Sequence, residues 1–243
     1  MNITLIQKPD RLLEIIYTAC RTCYSGQIID ELWHESTSEK TQKQMLSLVL
    51  KVIKSGHLSV VRHINFTFAI DGASRACLNQ LVRHTSGFSY SQQSMRYVTF
   101  DFENLKKKDV ERYYVIPDFE TEEQLELYKA SCFNSLIQYR KLIQEGVKAE
   151  DARGVLGLNF KSNIVATCNL QSLMHLANLR LCTNAQKEIR TLAKEMCNLV
   201  TKREAWLKEF LSPKCFQIGI CTEMKPCDKY PSIIKTQGSS KNS

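Results

Sequence analysis

The chain has 243 residues, 43% of them hydrophobic and 24% charged, with a formal net charge of +8. That is enough for a sizeable core in one domain or two small ones, and no apolar run is long enough to span a bilayer. The opening MNITLIQKPD lacks the basic-then-apolar pattern of a signal peptide, so a soluble cytoplasmic protein with no membrane partner is expected.

In chain order, Asn2 to Gln7 alternates as a first strand, and Pro9 and Asp10 open a helix with Leu12, Leu13, Ile15, Ile16, Ala19 and Cys20 on one face. A second helix is predicted from about Ser38 to Ser55, stopped by Gly56. His57 to His63 reads as a loop. Ile64, Phe66, Phe68 and Ile70 then alternate as a strand, which Asp71 and Gly72 are expected to end. Ser74 can cap a short helix to Val82, since a serine oxygen satisfies first-turn amides. Tyr113 to Ile116 reads as a short strand before Pro117, and Glu122 to Glu145 as a long helix ended by Gly146. Further helical turns at Glu150 to Leu156, a strand at Ser162 to Cys168, and helices at Leu170 to Leu181 and Asn184 to Phe210 complete the pattern. Strands early and helices late argue an α+β fold, a single domain with a mixed or antiparallel sheet flanked by helices. The domain is expected over residues 1–227, with 228–243 a polar, frayed tail.

Ten scattered cysteines in a chain of this size read as reduced thiols, several of them buried. Cys20 and Cys23 have redox spacing but lie in a helical pattern without a preceding strand, which argues against disulfide exchange. Cys215, Cys221 and Cys227 have no nearby histidine, so no metal site is expected. The basic balance attracts polyanions. Its one tight run, Lys106 to Lys108, has no stacking aromatics within residues 104–112, so a nucleic-acid partner is not expected.

The informative stretch is Arg83 to Arg96, with two arginines, one histidine, four serines, two glutamines and a glycine. It reads as a solvated loop or as an anion site. Its place after a helix, beside Phe88 and Tyr90, favours the site, because guanidinium forks and hydroxyls suit phosphate oxygens.

Residues 57–97, HLSVVRHINFTFAIDGASRACLNQLVRHTSGFSYSQQSMRY, resemble the core of the flavin-dependent thymidylate synthases. Arg83 and His84 followed by Ser94, Arg96 and Tyr97 match the family signature. EDARGVLGLN places Arg153 on the family's Ala-Arg segment, and LQSLMHLANLRLCTNAQKEIRTLA aligns Arg180, Gln186, Glu188 and Arg190. Residues 19–25 fit the family's first helix, and the resemblance runs over roughly residues 1–227.

The resemblance implies reductive methylation of dUMP to dTMP. Methylenetetrahydrofolate gives the carbon, FADH2 gives the hydride, and NADPH recharges the FAD. It also implies a homotetramer with active sites at subunit interfaces and no cysteine nucleophile. Gln80, Arg83, Ser94, Arg96 and Arg153 are implied for the nucleotide, with Arg153 reaching in from another subunit. Arg180 is implied to polarise the pyrimidine, with Ser94 beside it as the second catalytic residue. For FAD the implied residues are His57, Ser59, Arg83, His84, Thr85, Gln92, Gln93, Asn169, His175 and Asn184.

His63 and His175 read equally as core histidines, and Arg190 as a structural ion-pair partner. The chain departs from the family pattern at several places. Thr85 stands for the second signature arginine, with one extra residue before Ser94; Arg62 stands for a glutamate, Gln171 for an arginine, Asn184 for a histidine and Lys187 for a tryptophan. These fall on expected flavin contacts, and they are what a relative that binds nucleotide or flavin without turnover would show.

Overall fold

The computed structural model describes residues 1–100, 102 and 105–232. Four strands form one sheet in the order β1 (Asn2–Gln7), β2 (Asn65–Ser74), β4 (Lys161–Asn169), β3 (Phe88–Gln92). Thr67 bonds Thr167 across the central pair, while Gly72 N donates to Asn163 Oδ1. Advancing along β2 therefore means retreating along β4, which makes the pair antiparallel. The outer pair behaves alike, with Gln93 N donating to Asn163 O and Asn169 N to Gly87 O. This is the α+β architecture with an antiparallel sheet that the element pattern implies.

By internal packing the chain divides into two compact units, each holding one end of every strand. The first comprises Met1–Ile3, Ala69–Arg83 and Tyr90–Val165. Its short helix α4 (Arg75–Leu81) is capped as expected: Ser74 accepts from Cys77 N at 3.0 Å, and the amides of Arg75 and Ala76 donate to Phe160 O and Leu158 O. After the short turn α5 (Val110–Tyr113) comes the long helix α6 (Glu122–Gln144), started by a Thr121–Gln124 capping box. It buries Cys132, Leu136 and Tyr139 among Phe102, Val110, Tyr114 and Phe160, and α7 (Ala149–Ala152) adds Ala152. Aromatic rings dominate this core, with Tyr114 and Phe160 edge to face at 5.4 Å.

The second unit comprises Thr4–Phe68, His84–Ser89 and Ala166–Ser243. Its helix α1 (Leu12–Thr22) packs on α3 (Gln42–Lys54) through Ile16, Val49 and Ile53. Between them lie α2 (Ile29–His34) and a π turn at Glu35–Glu39. Helix α8 (Leu170–Arg180) packs on α9 (Lys187–Thr201) and on a 3-10 turn at Leu58–His63, and α10 (Lys214–Ile218) follows later.

Several local expectations need correction. The helix expected from Ser38 begins only after Thr41, whose capping box with Gln44 restarts the chain. β2 runs through Asp71 and Gly72 to Ser74, because Gly72 takes φ +70° without leaving the ladder. Tyr113 to Ile116 is no strand: α5 ends there and Tyr114 makes one bridge to Phe160. The helix expected to reach Phe210 ends at Thr201 and resumes as a 3-10 turn at Ala205–Glu209. Of the expected tail, Ser232 bridges to Cys221, and residues 233–243 lie outside the described residues.

The segment 84–89 is pinned onto α8. Asn169 caps that helix by accepting from Ser172 N at 2.9 Å, and its own amide donates to Gly87 O at 3.1 Å. Ser172 Oγ donates to Ser86 O at 2.6 Å. Gly87 sits at φ +69°, and a Cβ there would fall 2.3 Å from Asn169 Nδ2 and from Ser172 Oγ. Gly87→Ala therefore meets both a left-handed backbone and a clash, and should cost about 1–3 kcal/mol. Thermal melting should show the loss, while an unchanged Tm would mean the loop is not held at this point.

Candidate active site

The pinned loop runs along α8, and this arrangement brings together several expected flavin residues of the second unit. Gly87 and Ser86 lie at the helix start, while His84 reaches its end, where Arg180 Nε donates to His84 Nε2 at 3.0 Å. His84 is buried, 8% exposed, with the rings of His175 at 5.9 Å and Phe88 at 6.2 Å. A guanidinium Nε–H only donates, so His84 Nε2 must carry a lone pair and the ring is neutral. Burial, then the charges of Arg180 and His175, push His84 down to about 4. The bond in turn fixes the guanidinium plane of a half-buried arginine at the helix end.

The 3-10 turn at Leu58–His63 borders α8, with Leu170 N donating to Ile64 O at 2.8 Å. His57 and Ser59 are exposed there, as is Thr85 on the loop. Two of the departures from the family pattern meet here, since Arg62 Nε hydrogen-bonds Gln171 Oε1. His63 and His175 are exposed, which rules out the core-histidine reading for both. Asn184 stands apart from this group: its Nδ2 donates to Lys225 O at 2.8 Å. Arg190 is structural, but through carbonyls, donating to Thr183 O at 2.6 Å and Ala185 O at 3.2 Å. Residues 57–63, 84–89 and 169–180 contain no aspartate or glutamate. Such a surface favours anions.

In the first unit a separate set of cations gathers on Glu150. Arg96 Nε pairs with Glu150 Oε2 at 2.8 Å, and Arg153 Nε donates to Glu150 O at 3.0 Å. The sequence reading missed a third member, Arg75, whose Nη1 donates to Met95 Sδ at 3.1 Å. Burial and then the Arg153 charge lower the Arg75 pKa, so two guanidiniums repel one another beside a single partly exposed carboxylate. Nothing local in the sequence flags Arg75, because its neighbours come from a segment far along the chain. Ser94 accepts from Arg96 N at 3.3 Å, which leaves its hydroxyl proton free to donate. Gln80 Nε2 donates to Ala76 O at 3.3 Å, and Arg83 is exposed after α4. Gln92 and Gln93 are on or just past β3, where Gln92 Nε2 lies 3.5 Å from Ser162 Oγ and Gln93 bonds through its backbone. No group of described residues is arranged to hold a metal ion, and no helix among them is long and apolar enough to cross a membrane.

Comparison with known proteins shows the family of the chain. Residues 4–204 match the family described as "Thymidylate synthase complementing protein". A "Flavin-dependent thymidylate synthase" of Pyrococcus furiosus is 36% identical over 231 residues, covering 92% of this chain and 90% of that protein. One from Geobacter sulfurreducens is 38% identical over 226 residues, covering 92% and 91%. In fold, a crystal structure of the flavin-dependent thymidylate synthase of Helicobacter pylori, complexed with FAD and dUMP, aligns with a TM-score of 0.71. The two are 24% identical, and the alignment covers 87% of this chain and 100% of that one. The chain belongs to the thymidylate synthase complementing protein family, whose matched members are named flavin-dependent thymidylate synthases.

Proposed function

We propose that this protein is an FAD-dependent thymidylate synthase, converting dUMP to dTMP with methylenetetrahydrofolate as carbon donor and NADPH as the source of reducing power. The observation that carries the reading is the Arg180–neutral His84 pair, held by segments that contain no aspartate or glutamate. The residues there suit FAD: exposed hydroxyl and imidazole donors at His57, Ser59 and Thr85 match a pyrophosphate, and the His84, His175 and Phe88 rings match a flat ring system. FAD would supply the hydride when bound.

The chain's own part is to bind and polarise. Arg83, Ser94, Arg96 and Arg153, with Gln80, take the nucleotide; Arg153 comes from a neighbouring subunit of a homotetramer. Arg75 backs them with positive charge. Arg180, aimed by His84, donates to a pyrimidine carbonyl and stabilises the negative charge that builds there as carbon 5 attacks. Because Nε is committed to His84, only the outer edge of the guanidinium faces the substrate. No cysteine takes part: burial pushes the thiols of Cys20, Cys168 and Cys197 up, leaving them protonated.

Purified protein should be yellow with flavin absorbance and should release tritium from 5-tritiated dUMP when folate, NADPH and FAD are present. Colourless protein that binds dUMP but releases no tritium with added FAD would instead support a relative without turnover. Arg180→Ala should lower turnover at least about 100-fold, as losing a charge-stabilising donor does. Ser94→Ala should mainly raise the KM for dUMP; near-normal turnover in the arginine variant would remove Arg180 from its role.

The shift at His84 also fixes a sign for stability. Its folded pKa, about 4, lies below the unfolded 6.5, so the unfolded chain binds more protons between those values. The stability that neutral His84 contributes is present above pH 6.5 and lost as pH falls towards 4. Wild-type Tm should therefore drop more over that window than the Tm of His84→Gln; parallel curves would contradict a shifted His84.

A further inference from the structure

Four cysteines that the synthase reading leaves idle lie together in the second unit. Cys182, Cys215, Cys221 and Cys227 line one cavity of about 220 Å³, with Thr183 and Phe216 also in its wall. The chain turns at Gly219 (φ +73°), just after α10, and Cys215 on that helix and Cys227 beyond the turn both line the cavity. Cys215 lies within electrostatic reach of Cys221, Cys182 and Cys227.

Their chemistry differs within the group. Cys227 is exposed, and a hydrogen bond to the Thr183 side chain, then a backbone amide and the Lys229 charge, hold its pKa below that of a free thiol. Burial, then Cys221, raises Cys215, whose thiol is half-buried. An exposed thiol with a lowered pKa and a half-buried one with a raised pKa, lining the same cavity, suit an attacking and a resolving cysteine.

We infer that Cys227 is a hydroperoxide-reactive thiol and Cys215 its resolving partner, forming a reversible disulfide that ties the C-terminal segment to α10. The Cys227 thiolate attacks the terminal peroxide oxygen; the O–O bond breaks, an S–O bond forms, and hydroxide leaves as water after taking a proton. The Cys215 sulfur then attacks the sulfenic sulfur, and the S–S bond forms as the S–O bond breaks. The leaving hydroxide takes the Cys215 proton, so two thiols and one peroxide give a disulfide and two waters. A small-molecule dithiol reverses the step. The segment it ties already leans on the turn after Arg180, through Asn184 Nδ2 to Lys225 O and Thr183 to Cys227.

The test uses the intact protein and hydrogen peroxide, and is independent of flavin or nucleotide binding. Differential alkylation with peptide mass spectrometry should show a Cys215–Cys227 disulfide forming first and disappearing with dithiothreitol. Before oxidation, Cys227 should alkylate at least about tenfold faster than Cys215 at neutral pH. Cys215→Ser should accumulate a dimedone-reactive sulfenate at Cys227, and Cys227→Ser should form no disulfide at Cys215. Peroxide that oxidises exposed Cys23 while Cys227 stays a free thiol would overturn the proposal. So would a first disulfide joining any other pair.

Discussion

One hydrogen bond sets the chemistry of the second unit: Arg180 Nε to the lone pair of His84 Nε2. It requires an unprotonated imidazole, and the fold meets that requirement by burying the ring beside a fixed positive charge. The loop that carries His84 cannot drift, because Asn169 and Ser172 clamp Ser86 and Gly87 at the other end of the same helix. Helix α8 thus acts as a ruler, with its N-terminus holding the loop and its last residue receiving the histidine. Solvent histidine, half protonated near neutrality, would repel the arginine it has to orient.

The segments 57–63, 84–89 and 169–180, which carry that pair and its neighbours, contain no acidic residue, and this gives the electrostatics a direction. A guanidinium bonded to a neutral ring keeps its field for a bound group, and the histidine adds orientation without adding charge. The first unit solves a different problem. Arg96 pairs with the Glu150 carboxylate, Arg153 donates to the Glu150 carbonyl, and Arg75 feels the Arg153 charge, so positive charge gathers there. An anion would relieve that repulsion. Arg62 and Gln171 carry a further lesson: two departures that look independent in sequence, 109 residues apart, form one hydrogen bond.

Where local physics decides, the chain was readable. Ile64 to Ile70 alternate because β2 is buried on one face, and Ser74 caps α4 because first-turn amides need an acceptor. β3 was not read from the sequence: Phe88 and Tyr90 alternate with Ser89 and Ser91, but the strand is only five residues long at the sheet edge and its two rings are only half-buried. Tyr113 to Ile116 has strand-forming residues, but Val110 and Tyr114 are drawn into the aromatic core and the chain coils to place them. Of the motif residues singled out in the sequence, the structure brings His84 and Arg180 together. Arg75 and the Arg62–Gln171 bond depend on pairings set only by tertiary structure.

The most direct measurement is a titration of the His84 imidazole by nitrogen-15 NMR. The account predicts a ring that stays neutral from pH 8 until pH approaches about 4, with Nε2 unprotonated throughout. A His84 resonance that titrates near the ordinary 6.5, or a proton found on Nε2 at neutral pH, would contradict it.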